Sequence, residues 1–214
     1  MIVQVAGIKT VEEAMMVRKC GADFLGHPLV LDFHQPDLSI EELKDLIKRV
    51  RGVEHVLITY QSAADEILAL MDSLPLGWVQ LHGEIKRKEV GRIALAGKKV
   101  IKSLIVKNDN LDSIIGEANK YREYVDYFLL DTYDPATGAS GATGKTHDWQ
   151  LSRRLVASID KPIILAGGLN PQNLKEAIQV VGPAGVDAHT GLEDELGFKD
   201  YSKVKRFVEI AKIT

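Results

Sequence analysis

The stretch KPIILAGGLNPQNLKEAIQVVG, residues 161–182, reads as a strand, a turn and a helix in series. PIILA is short and almost wholly apolar, as a strand buried on both faces must be. Gly167 and Gly168 then permit positive φ and close backbone approach. Asn170 stands at an N-cap position with Pro171 behind it at the first helical position, and an amphipathic run follows.

The same grammar extends in both directions. Upstream lie IVQVA (2–6) with TVEEAMMVRKCG, ADFLGH with SIEELKDLIKRVRG, EHVLITY with SAADEILALMDSL, and GWVQLHG with EIKRKEVGRIALAG. KKVIKSLIV with NLDSIIGEANKYREY, and VDYFLLDT with THDWQLSRRLVASI, bring the series to residue 159. Downstream, AGVDAHTG is followed by DYSKVKRFVEIAKI. Thr10 with Glu13, and Ser39 with its apolar stripe Ile40, Leu43, Leu46, Ile47 and Val50, mark two of the helix starts.

Eight strand–helix units in 214 residues predict a parallel sheet with right-handed crossovers. A closed (β/α)8 TIM barrel, which needs about 200–250 residues, fits that length as one domain over residues 1–214. A doubly wound open sheet is the competing arrangement.

The chain is 45% hydrophobic and 27% charged, with a net charge of −3 and no block of like charges. Nothing in that balance points to nucleic acid or to a membrane surface. No apolar run approaches the ~18 residues of a membrane span, and the start MIVQVAGI lacks a basic leader. Cys20 is the only cysteine, so no internal disulfide forms. A reducing, cytoplasmic setting is the expectation.

In such a barrel chemistry sits where strands end. That selects Ala6, His27, Tyr60, His82, Ser103, Asp131, Gly167 and His189. Asp131 ends YFLLD, where burial beside apolar strands favours general-acid use. LAGGLNPQN and the turn AHTGLED, with Thr190 and Gly191, read as two halves of a phosphate site after strands seven and eight. Gly144 and Lys145 lie in a long loop of small residues, and Lys145 is placed to reach a phosphate or carboxylate. GATGK lacks the full P-loop spacing, so nucleotide binding by that route is rejected. The histidines have no metal-ligand spacing. No metal and no cofactor are expected, and Trp78, Trp149 and Cys20 read as packing.

AGIKTVEEA, GADFLGH, VQLHGE, LLDT, GATGKTHDW, ILAGGLNPQN and GVDAHTGLED together resemble the phosphoribosylanthranilate isomerase family of tryptophan biosynthesis. The resemblance implies a metal-free (β/α)8 barrel that opens the ribose of an N-phosphoribosyl arylamine and moves a proton, an Amadori rearrangement. It implies Asp131 as general acid. It also implies a cysteine general base at the end of strand one, where this chain has Ala6. The family's arginine for the anthranilate carboxylate is absent, with Pro36 or Asp37 at that place. His189 replaces a small hydroxyl residue, and His27 a large apolar one.

The phosphate end therefore matches and the aryl end does not, which reads as a re-tasked site. The expectation is an isomerase of a phosphorylated small molecule, a monomer or homodimer, with His27, His82 or His189 replacing the missing base. Two other readings stay open: a non-catalytic phosphosugar-binding paralogue, and a metal-dependent epimerase or aldolase.

Overall fold

The computed structural model describes residues 1–30, 36–107, 110–132 and 146–214. Eight parallel strands form a closed barrel in chain order: β1 Ile2–Ala6, β2 Phe24–Pro28, β3 Glu54–Thr59, β4 Trp78–Leu81, β5 Lys99–Val106, β6 Tyr127–Thr132, β7 Ile163–Leu165 and β8 Gly185–Ala188. The barrel closes where β8 pairs with β1, Ile2 opposite Gly185 and Gln4 opposite Asp187. The expected (β/α)8 architecture is present and the open-sheet competitor is not.

Among the described residues eight α-helices follow the strands: α1 Val11–Cys20, α2 Ile40–Arg49, α3 Ala64–Ser73, α4 Arg87–Leu95, α5 Leu111–Tyr121, α6 Trp149–Ser158, α7 Leu174–Val181 and α8 Tyr201–Ile213. Local chemistry explains several of their ends. Ser39 closes a reciprocal capping box with Glu42 before α2. Thr10 accepts from Glu13 N, and Gly21 ends α1 in the left-handed region at φ 97°. Glu13 does not complete that box. Its carboxylate accepts instead from Lys9 N at 2.7 Å and from Lys199 N, tying the β1 turn to the loop before α8.

One boundary differs from expectation. Regular α7 begins at Leu174, a turn later than the Asn170–Pro171 signal suggests. The Asn170 side chain still caps, accepting from Gln172 N at 2.9 Å and Asn173 N at 3.2 Å, but it caps a single turn that leads into the helix.

Two apolar layers follow from strand alternation. Phe24, Val56, Ile101, Leu129, Ile164 and Ala166 fill the barrel interior, with Trp78 and Tyr127 packed against them. Val3, Val5, Leu25, Leu57, Val79, Val100, Leu130 and Val186 face outward into the larger core under the helices. The expected packing role of Trp78 holds: its ring lies 4.8 Å from Phe24 and 6.0 Å from Tyr127. Cys20 is half-buried at the end of α1, remote from the strand ends, and burial raises its thiol. Among the described residues no helix is long and apolar enough to cross a membrane.

Candidate active site

The C-terminal ends of the strands form a polar floor. On β1 the inward residues are Ile2, Gln4 and Ala6; a β-carbon on Gly26 of β2 would lie 3.1 Å from that of Ala6, so the barrel is tight there. The Gln4 amide donates across the barrel to Gln80 Oε1 of β4 at 2.7 Å. Asp131, next to last in β6, is almost fully buried, and its Oδ1 accepts from Thr132 N at 2.7 Å. His82, just beyond β4, brings Nε2 to 3.7 Å from Asp131 Oδ2 and sets Nδ1 2.9 Å from Ser103 Oγ of β5. The Tyr60 ring lies 5.0 Å from that imidazole. His82 and Asp131 thus stand together at the mouth.

Asp187, inward on β8, completes the floor. A β-carbon on Gly185, two residues earlier, would meet the interior side chains of Ile2 and Ile164, which fixes the face that Asp187 shares. Burial, reinforced by the nearby Asp131 charge, pushes the Asp187 carboxyl up to about 7 against the opposing pull of a Gln4 hydrogen bond and of Lys199. Its Oδ1 has no hydrogen-bond partner among the described residues.

The two glycine turns meet at one side of this floor. Gly167 and Gly168 both hold positive φ, 85° and 63°. A β-carbon on Gly191, in the short 3-10 turn Thr190–Leu192 after β8, would fall 2.0 Å from Leu169 O of the β7 turn. Among the described residues no backbone carbonyl accepts from the amides of Gly167, Gly168 or Gly191. Asn173 Nδ2 donates to Gly168 O at 3.0 Å, which holds that peptide in place.

His189 follows β8 and sits on the rim. Its ring fills the space that a β-carbon on Gly7 would need, with Nε2 2.0 Å from that position. Nε2 also lies 3.3 Å from Glu193 Oε1, which accepts from Lys199 Nζ at 2.8 Å. Burial raises the Glu193 carboxyl, but the hydrogen bonds from His189 and Lys199 outweigh it and bring it to about 2.

His27 corrects an expectation. It lies on the outward face of β2, not at the mouth. His55 Nε2 is 2.8 Å from the Val50 carbonyl and therefore carries the proton. His55 Nδ1 is then an acceptor, so His27 Nε2 donates to it at 2.9 Å. Desolvation and the neighbouring His55 depress the His27 imidazole to about 3. A group so placed takes no proton from a ligand in the barrel. Gly144 and Lys145, with His34, Tyr133 and Asp134, lie outside the described residues.

The family model described as N-(5'phosphoribosyl)anthranilate (PRA) isomerase covers residues 3–210. The chain belongs to this family. It is 39% identical over 216 residues to N-(5'-phosphoribosyl)anthranilate isomerase 2 of Methanosarcina mazei, spanning 99% of this chain and 94% of that one. The phosphoribosyl anthranilate isomerase structure from Thermotoga maritima aligns at a TM-score of 0.84 with 32% identity, covering 99% of both chains. A phosphoribosyl anthranilate isomerase structure in complex with reduced 1-(o-carboxyphenylamino)-1-deoxyribulose 5-phosphate aligns at 0.82 with 30% identity and the same coverage.

Asp131 on β6 and the two glycine turns lie at the strand ends where the sequence resemblance leads one to expect them. Ala6, at the place where the resemblance implies a cysteine base, is buried and has no group that moves a proton. Asp37, at the place of the expected carboxylate clamp, lies 3.8 Å from Lys9 Nζ on the rim, and Ser39, not Asp37, caps α2.

Asp187, Gln4, Gln80 and Glu193 join the site in the structure without a motif in the sequence that marks them. Alternation alone carries the signal for Asp187, since Gly185 and Asp187 share one face of β8. Gln4 and Gln80 lie inside otherwise apolar strand runs, where a polar residue needs a partner.

Proposed function

We propose that this chain isomerises an N-phosphoribosyl arylamine, with phosphoribosylanthranilate as the first substrate to test, and so serves tryptophan biosynthesis. One observation carries the reading: the Asp131 carboxyl closes the same mouth in which the β7 and β8 glycine turns pack together. The amides of Gly167, Gly168 and Gly191, which meet no backbone acceptor among the described residues, would hold the phosphate with Thr190. Asp131 would give a proton to the ribose ring oxygen as the C1'–O bond breaks and the arylamine nitrogen forms an iminium. Loss of the C2' proton then gives an enolamine. Return of a proton to C1' and loss of the enol proton yield the aminoketose. His82, beside Asp131 and Ser103, orients the acid.

The whole chain would act as one barrel, as a monomer or homodimer in the cytoplasm. A Thermotoga relative is described as a dimeric isomerase from which monomers were generated. Lys145 and Gly144 remain part of this reading as contacts for the substrate's anionic groups.

Purified protein should convert phosphoribosylanthranilate, followed by loss of anthranilate-type fluorescence. Asp131→Asn should abolish the conversion while leaving product-analogue binding intact. Turnover unchanged in that variant would remove Asp131 from the mechanism. Ala6 favours a second reading, a phosphosugar-binding paralogue without turnover. That reading gains if only Ala6→Cys protein isomerises. A metal-dependent alternative would draw on the histidines, but His27 is outside the barrel, and among the described residues no three His, Cys, Asp or Glu side chains converge as metal ligands.

A further inference from the structure

We infer that Asp187 takes the C2' proton, the task for which Ala6 has no chemistry. The assignment rests on the isomerase reading above and goes beyond it by naming the base. Gln4 is the β1 residue paired with Asp187, and Ala6 is the next inward position on β1. Asp187 is therefore the carboxylate of the neighbouring strand diagonal to the missing cysteine. It lies on the barrel's inner face, close enough to Asp131 for the two charges to repel.

The competing bases are less well placed. His27 is outside the barrel and spends its Nε2 proton on His55. His82 is engaged by Ser103 and faces the acid itself. His189 is fixed on the rim against Gly7 and Glu193. Asp187 joins two features that none of the three histidines combines: it is buried on the inner face of the barrel, and one carboxylate oxygen has no partner among the described residues. An orphaned buried oxygen is costly and is explained when a ligand occupies it.

The proton balance is complete without any added reagent. Asp131 protonates the ring oxygen and the ring opens to the iminium. The unpartnered Asp187 oxygen removes the C2' proton; the C–H electrons form C1'=C2', and the iminium pair returns to nitrogen. Protonated Asp187 then returns its proton to C1', and the enol proton passes to the Asp131 carboxylate, leaving both carboxyl groups in their starting states. Two carboxyl groups in one low-dielectric site are driven to different protonation states, which suits one acid and one base. A carboxylate held near 7 is also matched to proton abstraction at neutral pH.

Phosphoribosylanthranilate turnover is measured for wild type, Asp187→Asn, His82→Asn, His189→Asn and the double variant Ala6→Cys/Asp187→Asn. Affinity for the reduced product 1-(o-carboxyphenylamino)-1-deoxyribulose 5-phosphate is measured alongside. Asp187→Asn should lower kcat by about 10²–10⁴-fold, the usual size of a lost general base, with analogue affinity within a few fold. The acid limb of the wild-type kcat/KM profile should lie near 7. A thiol at position 6 in the double variant should restore part of the turnover. Retained turnover in Asp187→Asn overturns the assignment, as does parallel loss of turnover and analogue binding. Loss confined to either histidine variant also overturns it and moves the base to that residue. A wild type that binds the analogue and turns over nothing overturns the isomerase reading itself, and this assignment with it.

Discussion

His27 and His55 share one hydrogen bond on the outer wall of the barrel, Nε2 of the first 2.9 Å from Nδ1 of the second. The chain of donors runs one way, from His27 through His55 to the Val50 carbonyl. A proton added to His55 would set two N–H groups against each other in an apolar layer. Both imidazoles are accordingly depressed, chiefly by desolvation, His27 to about 3. His147, bonded to Thr132 and Ser152, is depressed to about 4 by burial as well.

Depressed folded-state values mean that the unfolded chain binds protons first. Stability from these groups is fully present above about 6.5 and is lost as pH falls toward the folded values of about 3 and 4. At pH 5 a histidine that stays neutral when folded costs about 2 kcal/mol relative to neutral pH. The melting temperature should therefore fall steeply between pH 7 and pH 5. His27→Leu should flatten that slope, and an equally steep slope in the variant would show that the pair does not titrate as described.

The meeting of the β7 and β8 turns depends on Gly191. A methyl group there would fall 2.0 Å from Leu169 O, a backbone atom that moves only with the β7 turn. Gly191→Ala should cost about 1–3 kcal/mol, as overpacking does, and should weaken binding of a phosphorylated product analogue. Gly116 in α5 is the matched control, with nothing among the described residues within 4 Å of its added β-carbon. Gly116→Ala should stabilise by about 0.5–1 kcal/mol through helix propensity and leave binding untouched. Equal effects at the two positions in thermal melts and titration calorimetry would contradict the packing described.

The barrel was legible because each unit carries its own punctuation. Ser39, Thr10 and Gly21 mark helix ends by side-chain hydrogen bonds or backbone sterics that a sequence displays directly. The glycine turn after β7 was legible for the same reason, since glycines at positive φ act locally. Side-chain direction at a strand end was harder. His27 and His82 look alike in sequence, yet one faces the helices and the other the mouth. Only the register of β2 against β1 and β3, with Gly26 inward, decides this. Asp187 was overlooked because its meaning depends on Asp131 and Gln4, which are distant in the chain. The His55 partner of His27 was hidden in the same way.

Asp187 also carries a stability cost that its proposed role would explain. Its folded carboxyl titrates at about 7 against a reference of 3.8, so here the folded state binds the proton more tightly. The sign is opposite to that of the histidines. The favourable contribution of protonated Asp187 is present in full below about 3.8 and is lost as pH rises through about 7. Each unit of difference corresponds to about 1.4 kcal/mol. Asparagine keeps the shape and never ionises. Asp187→Asn protein should therefore melt above wild type at pH 8, with the gap closing as pH falls toward 4. Differential scanning calorimetry across that range checks the sign. A variant that melts below wild type at pH 8 would mean that the carboxylate is well solvated or paired, and would leave its burial in the barrel without the energetic consequence drawn from it. A gain in stability together with lost turnover is the trade expected of a charged group held in a dry site for its chemistry.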